Sequence, residues 1–459
     1  MPIRILPNPL MSPAAAFRAV RRGVTSDTSV VVGVMLLQNV LRIVSSVILT
    51  RLLNAEAFAI VGIITSVMVT FALISDVGII AFIVRHEKGI DRDFRDEVWT
   101  LKLVRGIALS ILVAILAGPI AQFMEKPELQ WPIAVAGLTS LIDGLGSMAP
   151  FNALRARRVK MMSSIDVGSQ IVGLVISIIC ALIFRSFWAI ILSTLLGQLL
   201  SVGVSYWLYP DSSQRFRFSK ARAAELWQFS RFITGSTMLT LLITQGDKLV
   251  LARAFPLDMM GIYIIAAGLA VAPIGLVTAY AGRVLYPLYA EIFRESPEAL
   301  RTKFYSVRMP QTLFYMFAAG GFIGCAHLVI TLLYDPRYAG AAMYLQILSI
   351  STFFAAGNYA ANEVMIAIGN TRFTFVTNLA RLGYLAIVGW IAWSQLGPVG
   401  IVWAVGTVEF AAQVIAWIAL RRHGFLNVSR ELLFILVGLT GIAIGYSGEQ
   451  AIMALFNIR

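Results

Sequence analysis

Residues 245–287 read QGDKLVLARAFPLDMMGIYIIAAGLAVAPIGLVTAYAGRVLYP, the end of one apolar run and the whole of the next. A charged doublet, Asp247-Lys248, lies inside the first run, and the chain turns near Pro256. The second run carries Gly261, Tyr263, Pro273 and Arg283. Charge placed inside a membrane span is costly, so it marks a pathway, a pair or a packing site. Shifted by 202 residues, VLARAFPLDMMGIYII (250–265) lies over ILTRLLNAEAFAIVGI (48–63), with Arg253 on Arg51, Asp258 on Glu56 and Ile262 on Ile60. Each copy is an apolar helix, an Arg, a short turn with an acid, and another apolar helix. Duplicated halves of this kind are a recurring transporter plan.

Composition agrees. With 459 residues, 58% hydrophobic, 13% charged and a mean hydropathy of +0.80, the chain is outside the range of soluble globular proteins. The net charge of +13 sits between apolar runs, where it sets topology, and nothing resembles a nucleic-acid-binding domain. Cys180 and Cys325 lie in apolar runs and offer neither a disulfide framework nor a metal cluster. His86, His327 and His423 are scattered without metal-ligand spacing, and no Lys follows a Gly, so there is no phosphate-binding loop. No cofactor is expected, and transport, not an enzyme activity, is the expected class.

Runs near 29–50, 57–84, 98–123, 131–153, 165–184 and 187–209 are expected to span the membrane as the first six helices. Six more follow near 226–252, 258–286, 311–333, 340–368, 373–395 and 399–420. A thirteenth run, 432–456, is less apolar because of Glu449 and its glycines. The domain reading is a basic leader (1–28), helices 1–6 (29–210), a polar linker (211–225), helices 7–12 (226–424) and a terminal helix (425–459). The fold class is all-α, a polytopic integral membrane protein, because helices satisfy their own backbone in lipid. Basic residues crowd the leader and the even-numbered loops, for example Arg85, Lys88, Arg92 and Arg95, then Arg155, Arg157, Arg158 and Lys160, later Arg294, Arg301, Lys303 and Arg308. Odd loops hold about one each, so the amino terminus and even loops are expected in the cytoplasm.

The chain resembles the polysaccharide-transporter branch of the multidrug/oligosaccharidyl-lipid/polysaccharide exporter superfamily, the flippases for lipid-linked oligosaccharides. Arg51-Leu52-Leu53, Glu56-Ala57-Phe58 and Asp76-Val77-Gly78 look like that family's first-half pattern. Asp247, Gly261-Ile262-Tyr263, Pro273 and the Arg283 to Pro287 stretch are similar to its seventh-to-eighth span pattern, and YDPRYAGAAMYLQIL (334–348) and AIGNTRF (367–373) match in character and place. Two departures stand out: Ala59 where the family usually has Gly, and Pro256 in place of a turn Gly.

The resemblance implies two six-helix lobes around a central cavity, with alternating access carrying a polyprenyl-pyrophosphate-linked glycan across the bacterial inner membrane. The polyprenyl tail would stay in membrane lipid; a glycan polymerase or assembly proteins are candidate partners, and nucleic acid is not. A pyrophosphate in low dielectric asks for cations, and sugars ask for hydrogen-bonding or aromatic walls. Arg42, Lys248, Arg283 and Arg381 are the candidate cations; Asn358, Asn362, Gln413, Tyr263 and Tyr280 are candidate walls. Asp76, Asp143, Asp247, Glu363 and Glu409 are candidates for ion coupling or for ion pairs that fix helix packing, Asp247 with its neighbour Lys248 above all. Arg42 sits roughly 20 Å into the first span, at about 1.5 Å per residue, too deep to reach back to the surface. Three other readings stay open. One is a cation-coupled drug exporter of the same superfamily, with Asp76 and Asp143 as its coupling acids. Another is a major-facilitator transporter, against which the loop lacks Gly-x-x-x-Asp-Arg, Gly89 standing two residues before Asp91. The last is a non-transporting scaffold of a glycan-assembly complex.

Overall fold

The computed structural model describes residues 27–79, 82–83, 86–156, 158–209 and 212–456. The leader residues Arg4, Arg18, Arg21 and Arg22, and the loop residues Arg85 and Arg157, lie outside them. Among the described residues the chain is helical, without strands. The first half comprises α1 (Asp27–Leu52), α2 (Ala55–Ile74), α3 (Arg92–Phe123), three short helices α4 (Gln130–Ala136), α5 (Leu138–Leu145) and α6 (Ala149–Arg155), α7 (Val159–Phe184) and α8 (Phe187–Trp207). The second comprises α9 (Lys220–Ala254), α10 (Leu257–Tyr280), α11 (Tyr286–Glu295), α12 (Pro297–Gly324), α13 (Ala326–Leu333), α14 (Ala341–Ala367), α15 (Arg372–Leu396), α16 (Pro398–Arg422) and α17 (Val428–Phe456).

By length and composition, nine described helices are apolar enough to cross a membrane, or ten if α12 and α13, bent by 67°, count as one span. The other expected spans fall short for physical reasons. The fourth is broken at Pro132, Gly137, Gly146 and Pro150, so one expected helix becomes three. The long helices α9 and α14 carry Asp247, Lys248, Asn358 and Asn362, and these residues line a cavity instead of meeting lipid. The second span stops ten residues early. Asp76 Oδ1 accepts from the Gly78 amide at 2.9 Å, and Gly78 turns the chain with φ +64°, a conformation a side chain would strain. The eighth span runs further than expected, passing through one π turn at Ala281–Leu285 into α11. The run at 432–456 lies within α17, which packs closely on α12.

Packing is uneven between the two ends of the molecule. At the end bearing the odd-numbered loops, one apolar cluster joins both halves: Ile63 and Val67 of α2, Ala117 of α3, Leu251 of α9, Met260 and Tyr263 of α10, and Leu345 of α14. At the even-loop end there are separate clusters, one around Phe304, Val364 and Phe434 within the second half, another around Phe82, Phe94 and Val98 within the first. Among the described residues, the start of α9, through Leu226 and Phe229, bridges to the latter. The molecule is therefore closed at its odd-loop end. The two repeat copies make that closure, with α2 packed on α9 and α10. Gly261 is where they approach most closely: a Cβ there would fall 1.9 Å from the Ala55 carbonyl oxygen.

Candidate functional site

A cavity of about 530 Å³ lies among α9, α10, α14, α15 and α16, running from Phe373 and Thr374 beside an even loop to the Asp247–Tyr263 level. The helices bring together on it residues remote in sequence: Asp247, Lys248, Tyr263, Asn358, Asn362, Arg381 and Glu409. Hydroxyls and amides such as Thr244, Gln245, Thr377 and Asn378 fill much of the remaining lining.

Two polar networks organise this wall. The Arg381 guanidinium forks onto Glu409, Nε to Oε1 at 2.9 Å and Nη2 to Oε2 at 2.8 Å, and its Nη1 donates to Asn378 Oδ1 at 2.8 Å. Asn358 Nδ2 donates to the same carboxylate at 2.6 Å. A two-point fork of this kind is strong and directional. Arg381 is thus paired with Glu409 in this structure. In the second network Asp247 and Lys248 direct their side-chain hydrogen bonds to other groups than each other. Asp247 Oδ2 accepts from the buried Tyr263 hydroxyl on α10, whereas Lys248 Nζ donates to the Thr244 carbonyl at 3.2 Å and to Gln245 Oε1 at 3.3 Å. Consecutive residues on a helix do not face each other, so the neighbour in sequence is not the partner in space. Two buried oxygens in the lining, Asp247 Oδ1 and Asn358 Oδ1, have no hydrogen-bond partner among the described residues. Such acceptors are costly to leave unmade.

The remaining candidates lie elsewhere. Arg42 is exposed on α1 and donates only to Asn39 Oδ1, at 2.8 Å; Arg283 is exposed within the π turn, and neither has a carboxylate partner among the described residues. Tyr280 is half-buried beside that turn, and Gln413 faces a small side pocket with Arg308 and Glu431. Glu363 accepts from Asn362 at 3.4 Å. Asp143 pairs with Lys102 at 3.4 Å and Asp76 holds its own turn. Sequence reasoning missed the most buried pair: Arg308, 1% exposed, bonds Glu431 at 3.2 Å between α12 and α17. Arg308 had been counted as a loop charge, and it leaves that count. An Arg preceding an apolar run, with an acid at the start of another, was the available signal.

Residues 48–343 match the polysaccharide biosynthesis protein family. The chain belongs to that family. Among curated polysaccharide biosynthesis relatives, the amylovoran biosynthesis protein AmsL of Erwinia amylovora is 23% identical over 70% of this chain and 84% of its own. The lipopolysaccharide biosynthesis protein WzxC of Escherichia coli is 23% identical over 79% and 73%. The succinoglycan biosynthesis transport protein ExoT of Rhizobium meliloti is 22% identical over 68% and 62%. Among solved structures, the lipid II flippase MurJ in an inward closed conformation superposes with a TM-score of 0.67 at 12% identity, covering 93% of this chain and 99% of that one. An inward-facing multidrug-resistance transporter follows at 0.57 and 16%, covering 87% and 95%. This member of the polysaccharide biosynthesis family is thus a multi-pass membrane protein with a flippase-type transporter fold. Ala59 is fully buried in the shared core, and its repeat mate Gly261 makes the close backbone approach to Ala55.

Proposed function

We propose that the protein moves a polyprenyl-pyrophosphate-linked oligosaccharide across the bacterial inner membrane by alternating access. Its relatives are named for polysaccharide, lipopolysaccharide and exopolysaccharide biosynthesis, and the fold is that of a lipid II flippase. The observation that carries the reading is the cavity of about 530 Å³ inside the bundle, whose largely apolar wall is set with amides, hydroxyls and charged side chains. Such a lining offers polar points for sugar hydroxyls and apolar surface for the faces of sugar rings. In this reading residues 29–210 and 226–424 are the two lobes, 211–225 links them, and 425–459 adds the helix docked on α12. The amino terminus and even loops face the cytoplasm, on the strength of their basic residues.

Arg42 and Arg283 are the cations left free to meet the pyrophosphate, because Arg381 is held by Glu409. Lys248, bound only to a carbonyl and an amide oxygen, stands on the sugar wall. A guanidinium at the depth of Arg42 needs a wet cavity or an anionic partner, and its planar fork fits two phosphate oxygens where an ammonium offers one point of charge. In a strain lacking its own flippase, Arg42→Ala is expected to abolish surface glycan, and Arg42→Lys to lose most of it, at unchanged protein level. Wild-type export by Arg42→Ala would remove the residue from the site. In the same strain, a cysteine replacing Lys160 should resist an impermeant thiol reagent in spheroplasts; labelling there would invert the topology.

A further inference from the structure

The shared core at the odd-loop end is fastened by polar contacts of the same kind from both halves: their acceptors are mates under the 202-residue shift, while their donors, Lys126 and Arg337, come from corresponding loops 211 residues apart. Lys126, in the loop between the third and fourth spans of the first half, donates from Nζ to the Ala252 carbonyl at 2.7 Å, near the end of α9. Arg337, in the corresponding loop of the second half, points Nη2 at the Thr50 carbonyl at 3.5 Å, near the end of α1. Thr50 and Ala252 are repeat mates. The acids match too: Glu125 bonds Arg253 at 2.7 Å, and Asp335 lies in the field of Arg51, the repeat mate of Arg253. Each loop then enters a single 3₁₀ turn opened by a proline, Pro127–Leu129 in one and Pro336–Tyr338 in the other. Two more bonds strengthen the second side: the buried Tyr338 hydroxyl donates to the Leu53 carbonyl at 3.0 Å, and Ser46 meets the Tyr334 hydroxyl at 3.2 Å.

The chemistry explains why loops sit there. The last carbonyls of a helix have no partner within it, and they carry the negative end of its dipole, which favours a cation. Each half thus caps the first helix of the other. Lys126 is 9% exposed, and burial holds its ammonium below the ordinary lysine range, so it is a committed contact and not a solvated loop charge. Asp335, partly buried, is held below the usual carboxylate range first by its hydrogen bond with Arg337, which keeps it ionised beside Arg51.

We propose that these reciprocal contacts form a two-part clasp, with Lys126 and Tyr338 as its positioning residues, that sets how much of the protein is closed at the odd-loop end. Opening that end strips the carbonyls of both helices at once, so the two parts release together. The inference rests on the alternating-access reading, but it is read without any glycan.

The full chain, with Cys180→Ala and Cys325→Ser, is placed in lipid nanodiscs carrying spin labels at Glu128→Cys and Ala339→Cys, exposed sites on the two loops. Pulsed dipolar spectroscopy should show one short label-to-label distance. Lys126→Met and Tyr338→Phe should each raise the ratio of a longer-distance population to the short one by about tenfold, the effect of one buried hydrogen bond left unmade. Lys126→Arg, which keeps a cationic donor, should stay near the parent. Should Lys126→Met fail to fold, Tyr338→Phe tests the opposite side of the same clasp by removing one oxygen. Unchanged distances in the folded variants would overturn the clasp, even in a protein that exports glycan. Shifted distances in a protein that moves no glycan would keep the clasp and remove the cargo reading.

Discussion

At the scale of single residues, the balance between binding and structure turns on which charges are already spoken for. Arg381 and Glu409 are 13% and 12% exposed and bonded twice to each other. Removing one member of such a pair strands the other charge, at a cost of about 3–5 kcal/mol, whereas replacing both with apolar groups is often close to neutral. Arg381→Met or Glu409→Met is therefore expected to lower the thermal unfolding temperature of the purified protein sharply, and the double variant to recover most of it. Full stability in Arg381→Met, with export alone lost, would mean that the guanidinium meets cargo. The sequence offered Glu409 as one of three acids that could pair with Arg381 but not which of them does, because a separation of 28 residues across a loop carries no signal of contact. Asp247 misled in the opposite way: its neighbour in sequence looked like its partner, and the partner is Tyr263 on the next helix.

Helices were legible wherever an apolar run of bilayer length ends in a turn signal. The runs whose polar residues face the cavity form long helices where they were expected, α9 and α14. The terminal run looked weak because of Glu449 and its glycines, yet those features dock α17. Glu449 accepts from the Leu328 amide at 2.9 Å. Gly320 and Gly324 on α12 meet Gly438, Gly441 and Gly445 on α17 so closely that a Cβ on Gly320 would lie 2.0 Å from the Gly438 carbonyl, and one on Gly441 2.3 Å from that of Phe317. Small residues four apart allow backbones to approach in this way within membranes. Gly320→Ala and Gly441→Ala should each destabilise the protein by about 1–3 kcal/mol, the usual cost of overpacking. Gly448→Ala, with nothing within 4 Å of its Cβ, is the neutral control. Equal melting of all three would show that α17 is not held by this seam.

For the whole molecule, the internal repeat was readable and it is what closes the structure: the two copies pack on each other at one end, while at the other the described residues form separate apolar clusters bridged by the start of α9. The closure itself was not readable, because it depends on loops capping helices more than 100 residues away, as Lys126 does to Ala252, |i−j| = 126. A cavity reaching toward the looser end, beneath a fastened opposite end, is the arrangement a carrier needs when it loads from one side. The most direct measurement reconstitutes the purified chain into liposomes holding a polyprenyl-pyrophosphate-linked oligosaccharide in both leaflets, with a glycosidase added outside. The protein should carry the inner-leaflet glycan within reach of the enzyme until nearly all is cleaved, and Arg42→Ala vesicles should stop at the outer-leaflet fraction, as protein-free vesicles do. Wild-type vesicles that also stop there, with the protein folded and inserted in both orientations, would contradict the account.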